Sequence, residues 1–155
     1  MAENLARRTD ESLWSSTELK RLDATRELEI AVRRADGTRR RAVPVWVVCA
    51  DSHVYVRTWY RRDTGWFGQA LRSHRARVRV PGLEADVTVE DVGESPAKLG
   101  ESVDTAYRTK YGSAGSESMV TASAAATTLR LNPEVAEYRA DRAVLAGRQA
   151  PRPAP

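Results

Sequence analysis

Six consecutive residues, Arg57, Thr58, Trp59, Tyr60, Arg61 and Arg62, combine the side chains needed to hold a flat, anionic molecule. Guanidinium forks grip phosphate or carboxylate through paired N–H bonds, threonine adds a hydroxyl, and the two aromatics can flank a ring system. A helix predicted to begin at Thr64-Gly65 sets unpaired backbone amides beside them, with Trp66 in its first turn, which suits an anion. Arg41 and Trp46 are expected to converge on the same place. The plainer reading is a solvated loop whose tryptophans plug the core, and the two extra anchors tip the balance toward a site.

A second group lies on a predicted helix from Ala97 to Tyr111. There Val103, Ala106, Tyr107, Lys110 and Tyr111 share one stripe, with Gly112 as the C-terminal cap. Tyr107 is the candidate proton donor and Lys110 its neighbour, while aromatic packing with a snorkelling lysine explains the same stripe about as well. Tyr55, Trp59, Tyr60 and Tyr111, with Arg41 and Trp46, would wall a substrate cavity.

Other chemistry is thin. His53 and His74 have no ligand at helical spacing, so a metal site is not expected. Cys49 is the only cysteine and ends an apolar strand, where a small buried thiol is the usual outcome. Arg75, Arg77 and Arg79 resemble a nucleic-acid stripe until the next strand is read: Glu84 and Asp86 fall opposite Arg79 and Arg77, so a neutralised ladder is the better account. No nucleic-acid partner is expected.

The elements that must position these residues follow from turn chemistry and alternation. Ser15 and Glu18 form a capping-box pattern with Trp14 and Leu19 as the staple, predicting a helix over 16–23. Leu28, Ile30 and Val32 alternate with polar neighbours as a first strand. Asp36-Gly37 signals a hairpin; a two-residue loop there sets Ile30 against Val43 and Leu28 against Val45, and turns Arg41 inward opposite Val32. Val43, Val45 and Val47 alternate with Pro44, Trp46 and Val48, so that strand is apolar on both faces. A third strand carries Tyr55 and Arg57. After the Thr64–Ser73 helix, Pro81-Gly82 joins RARVRV to LEADVTVEDV in a further hairpin. Ser95-Pro96 opens the long helix, a Gly/Ser loop follows, and a last strand, Thr127–Leu131, is stopped by Asn132-Pro133. The expected class is α+β, mainly β: a small six-stranded barrel, closed or half-closed, with about three short helices.

The chain has 155 residues, with 41% apolar and 30% charged residues, as expected of one globular domain. The net charge is only +4, and the preference for arginine over lysine has a ready origin in GC-rich coding, so arginine number alone carries no function. Residues 1–13 read as a flexible leader, 14–133 as the domain, and 134–155 as a C-terminal helix and disordered tail. No apolar run suits a signal peptide or membrane span, so a cytoplasmic protein with no membrane partner is expected.

The runs DGTRRRAVPVWVVCADSHVYVRTW, GWFGQAL, VDTAYRTKYG and TTLRL resemble an uncharacterised family of short bacterial proteins classed as a domain of unknown function. The likeness covers Trp14 to Pro133. More loosely, the order of Gly37 and Arg40, Pro44 and Val45, a strand ending near Arg57, and a helix led by Trp66 is similar to the flavin- and deazaflavin-binding split β-barrels, including the pyridoxamine-phosphate-oxidase-like proteins. That likeness implies a split barrel, a homodimer, and FMN or a deazaflavin in a groove. Arg57 and Thr58 would hold its phosphate, with Arg61 and Arg62 nearby and Trp66 at the following helix. Where such relatives carry a glycine-rich loop, this chain has Thr58-Trp59-Tyr60-Arg61-Arg62. The leading expectation is therefore a flavin- or deazaflavin-dependent oxidoreductase acting on a small organic metabolite. If Trp59 and Tyr60 close the cavity, the alternative is a cofactor-free cyclase, isomerase or dehydratase of a hydrophobic metabolite. A non-catalytic binding protein is the third reading, favoured if Arg41 meets an internal carboxylate and no pocket remains.

Overall fold

The computed structural model describes residues 13–58 and 65–134. Of the expected leader (1–13) and tail (134–155), all but Leu13 and Glu134 lie outside the described residues, as do Trp59, Tyr60, Arg61 and Arg62. The elements run α1 (Ser16–Ala24), β1 (Glu27–Val32), β2 (Val43–Ala50), β3 (His53–Val56), α2 (Gly65–Ser73), β4 (Arg75–Val80), β5 (Leu83–Asp91), α3 (Ala97–Tyr111), a 3₁₀ turn (Glu117–Met119), α4 (Ala122–Ala125) and β6 (Leu129–Pro133). All six strands pair antiparallel and the sheet closes on itself in the order β1-β2-β3-β6-β5-β4.

Alternation puts one face of each strand inside. Leu28, Ile30, Val32, Val45, Val47, Val54, Val56, Val78, Val87, Leu129 and Leu131 fill the barrel, and Leu22, Phe67 and Ala70 from α1 and α2 join the same core. At the α1 end, the Trp14 indole N–H donates to the Leu131 carbonyl at 2.9 Å, and Ser15 and Glu18 exchange the reciprocal bonds of a capping box.

The second apolar face of β2 is also used. Val48 and Tyr55, pointing outward from β2 and β3, pack with Val103 and Tyr107 of α3 and with Met119, forming a second core outside the barrel wall. A strand that is apolar on both faces here separates two hydrophobic compartments.

The turns follow local chemistry, with one correction. Pro81-Gly82 makes the expected two-residue loop, with Arg79 opposite Glu84, Arg77 opposite Asp86 and Arg75 opposite Thr88. Ile30 and Leu28 also face Val43 and Val45. At the hairpin tip, however, the Gly37 amide bonds to the Arg34 carbonyl and the Arg34 amide to the Thr38 carbonyl, with Gly37 at φ +89°. This is a three-residue loop with glycine in the left-handed position. It puts Arg40, whose amide donates to the Val32 carbonyl, where Arg41 was expected. An extra residue before Val43 restores the register, so Arg41 lies at a bulge, exposed to solvent.

Two smaller expectations also shift. Pro96 is the N-cap of α3 and no side chain caps it. Thr127 and Thr128 precede the last strand, their hydroxyls donating to the Ala124 and Ala125 carbonyls at the end of α4, and β6 continues through Asn132 to Pro133.

Candidate functional site

β2 and β3 are joined by Asp51-Ser52, both in the left-handed region (φ +52° and +66°) as a tight primed hairpin requires. The hairpin sets Val47 opposite Val56. Strand alternation then turns Trp46, Tyr55 and Arg57 away from the barrel interior. A cleft of about 700 Å³ opens along this side, walled by Glu27, Pro44, Trp46, Arg57, Thr58, Trp66 and Met119. Trp46, Arg57, Thr58 and Trp66, separated by up to 20 positions in the chain, thus meet at one place. Arg41, Tyr55, Tyr107, Lys110 and Tyr111 are not among the described residues that wall it.

Arg57 is the largest fully buried side chain. Its Nη1 donates to Asp104 Oδ1 at 2.5 Å and to the Met119 carbonyl at 2.7 Å, its Nε to Thr128 Oγ1 at 2.8 Å, and its Nη2 to the Gly100 carbonyl at 3.3 Å. The Tyr107 ring lies beside the guanidinium, 5.6 Å from its centroid. The fork expected to meet a ligand phosphate is turned to protein acceptors: it ties β3 to α3, the 3₁₀ turn and the start of β6. Burying a guanidinium demands this, because each unmet donor would carry its full desolvation cost. Thr58 closes the same end, its amide donating to Thr127 Oγ1 at 3.0 Å, while the Thr127 hydroxyl donates to the Ala124 carbonyl.

The α3 stripe is a girder beside the cleft. Tyr107 is fully buried, and burial pushes its hydroxyl far above the usual phenol range. That oxygen has no hydrogen-bond partner among the described residues. Lys110 donates to the carbonyls of Val47 (2.6 Å) and Leu22 (3.2 Å), and desolvation lowers its pKa. The Tyr111 hydroxyl donates to the Arg26 carbonyl at 2.6 Å and accepts from the Val47 amide at 3.1 Å, while its ring stacks on Trp46 at 4.0 Å and 5°. One face of Trp46 is therefore covered by Tyr111, and the remainder of the indole borders the cleft. The Tyr55 hydroxyl accepts from Arg130 at 2.9 Å.

Five cleft residues, Glu27, Pro44, Val45, Ser118 and Met119, escaped the sequence reading of the site. Met119 lies in a segment expected as loop and forms the 3₁₀ turn. Glu27 is the first residue of β1, opposite Trp46. Asp104, the partner of Arg57, did carry a signal: it falls on the buried stripe of α3 beside Val103 and Tyr107, where a carboxylate needs a cation.

A family model described as an uncharacterized protein conserved in bacteria (DUF2255) matches residues 18–131. No curated protein matches. Among solved structures, a conserved hypothetical protein of Mycobacterium tuberculosis is similar with 14% identity and a TM-score of 0.55, over 81% of this chain and 83% of that one. An FAD-binding protein of Mesorhizobium loti is similar with 19% identity and a TM-score of 0.53, over 79% and 91%. At these identities the likeness is one of fold.

Proposed function

This chain belongs to the uncharacterised bacterial family DUF2255, and from that premise we propose that its Trp46–Trp66 cleft holds a flavin or deazaflavin and that the protein is an oxidoreductase acting on a small organic metabolite. The observation that carries the reading is the cleft itself. At about 700 Å³ it falls within the ~300–1,000 Å³ of sites that take cofactor-sized molecules. Two indoles wall it, and it stands on a barrel shared with an FAD-binding protein.

The residues present fit a flat ring better than they fit a phosphate. Trp46 is braced from behind by Tyr111, so its orientation is fixed before any ligand arrives. Thr58 and Ser118 bring polar groups to the wall for a ring edge. Arg57 fixes the floor: by locking Asp104, Met119 and Thr128 it makes the cleft rigid. Phosphate contact then falls to Arg61 and Arg62, and Trp59 and Tyr60 would border the ring. A bound flavin or deazaflavin would supply hydride chemistry; the chain would orient the ring and exclude water.

A second reading is favoured by Glu27, whose carboxylate at the cleft disfavours a phosphate, and by the commitment of Arg57. It is a cofactor-free cyclase, isomerase or dehydratase of a hydrophobic metabolite in the same cleft. Titration of the purified protein with FMN, FAD and a reduced deazaflavin, followed by tryptophan quenching, separates the two. Binding near ~1 μM that weakens about tenfold or more in Trp46→Ala supports the flavin; no binding at ~100 μM removes it.

A further inference from the structure

The strand arginines of this fold meet carboxylates, and several others do not. Those on the strands are paired: Arg77 with Asp86 and Glu84, Arg79 with Glu29, Arg75 with Glu134, and Arg130 with Glu90. Arg33, Arg34, Arg39 and Arg72, around the β1–β2 hairpin and the end of α2, make no ion pair among the described residues, and neither do Arg21, Arg26, Arg40, Arg41 and Arg108. The two groups touch, with the Arg33 amide donating to the Arg75 carbonyl.

Three of these, Arg33, Arg34 and Arg72, line a hollow. A groove of about 630 Å³ lies between the hairpin and α2, lined by Arg33, Arg34, Asp36, Gln69, Arg72 and Ser73. Arg33 also stands directly across the hairpin from Arg39 in an isolated bridge, where like charges oppose each other. The single carboxylate at the groove, Asp36, is spent locally: it accepts from the Thr38 amide at 2.9 Å and hydroxyl at 2.6 Å, bonds that lower its pKa and keep it ionised. Arg34 donates to Thr38 Oγ1 and to the Arg39 carbonyl, which fixes the guanidinium at the rim. Three lining arginines against one aspartate leave a formal charge of +2 at the groove. Exposed like charges cost little in salt water, so such a cluster survives folding; its concavity and its net positive lining make it a receptor.

We propose that this groove binds a phosphorylated small molecule carrying at least two negative charges, at a site separate from the Trp46–Trp66 cleft. Guanidinium forks match phosphoryl oxygens, the lining charge matches a dianion, and the Gln69 amide and Ser73 hydroxyl supply neutral polar contacts. The volume is that of a small-molecule site. An extended polyanion fits less well, because the charges along β4 and β5 alternate in sign and offer no continuous basic track.

The test is calorimetric titration of the whole chain with inorganic pyrophosphate at low ionic strength. One-site saturable binding is expected, weakened about tenfold or more by Arg34→Gln and by Arg72→Gln. Arg79→Gln, which removes an arginine of the paired ladder, should leave it unchanged. So should Trp46→Ala, which reports on the other cleft, so the flavin reading can fail without affecting this one. Absence of saturable heat at ~10 mM pyrophosphate, a weaker interaction than ~1 mM sites show, overturns the proposal. So does an equal loss in Arg79→Gln, or binding of an RNA oligonucleotide or polyglutamate with the same arginine dependence and none of pyrophosphate.

Discussion

Replacing Asp104 by asparagine should cost this domain far more than loss of a surface ion pair. The Arg57 side chain is 0% exposed and that of Asp104 22% exposed, with Nη1 and Oδ1 2.5 Å apart. Removing one partner of a buried pair costs roughly 3–5 kcal/mol, because the other charge stays buried and uncompensated. Two features reduce the figure here. Asp104 is partly hydrated already, and Arg57 keeps three neutral acceptors in Thr128, Met119 and Gly100. A loss of about 2–4 kcal/mol follows. With a urea slope near ~1.5 kcal/mol/M, the unfolding midpoint should fall by roughly 2 M at constant slope. The double variant Arg57→Met with Asp104→Asn removes both charges, so it should be more stable than the summed single losses predict, by at least ~1 kcal/mol. A loss below ~0.5 kcal/mol in Asp104→Asn, the value of an exposed pair, would refute the reasoning. Simple additivity in the double variant would refute it too.

Two further outcomes are expected. Burial pushes the Cys49 thiol up to about 12 from 9.0, with Asp23 raising it further and Lys110 opposing; the folded state then holds its proton while the unfolded chain loses it, so this stability is complete below pH 9 and declines as pH rises toward 12. Urea midpoints of wild type and Cys49→Ala should diverge between pH 8 and 10.5, the wild type falling faster; parallel curves would show that the thiol is not responsible, and Lys110, whose lowered pKa acts in the opposite sense, is present in both proteins. Gly93→Ala places a Cβ against the Ala126 backbone carbonyl, so a loss of about 1–3 kcal/mol is expected from overpacking; an unchanged thermal midpoint would contradict that contact.

The fold was legible wherever local chemistry sets geometry. Ser15 with Glu18, Pro81-Gly82 and the two-faced strand around Val45 each led to the observed element. The register of Ile30 against Val43 also emerged correctly, although the tip that produces it did not. Asp-Gly serves a two-residue primed turn and a three-residue turn with a bulge equally well, and only the bonds of Arg34 decide between them. That one-residue difference moved Arg41 from an inward position to solvent. Long-range pairing was the harder part. The barrel-closing contact of β1 with β4 has no signature in either strand, so Arg79 found Glu29 in place of Glu84. At the site, composition identified Arg57 as exceptional but not its direction. Its acceptors lie 43 to 71 positions away in the chain, on elements whose packing no spacing rule reports.

Closure of the sheet sets a constraint on how the chain can be synthesised safely. β6 lies between β3 and β5, so Val54 and Val56 on one side and Val87 and Val89 on the other remain at open sheet edges until Leu129 and Leu131 arrive. A nascent chain that stalls anywhere between Asp91 and Leu129 therefore carries two unsatisfied apolar strands, the arrangement most prone to pair with a neighbour. Once β6 docks, both edges vanish together, and the six described strands leave no open sheet edge to offer another copy.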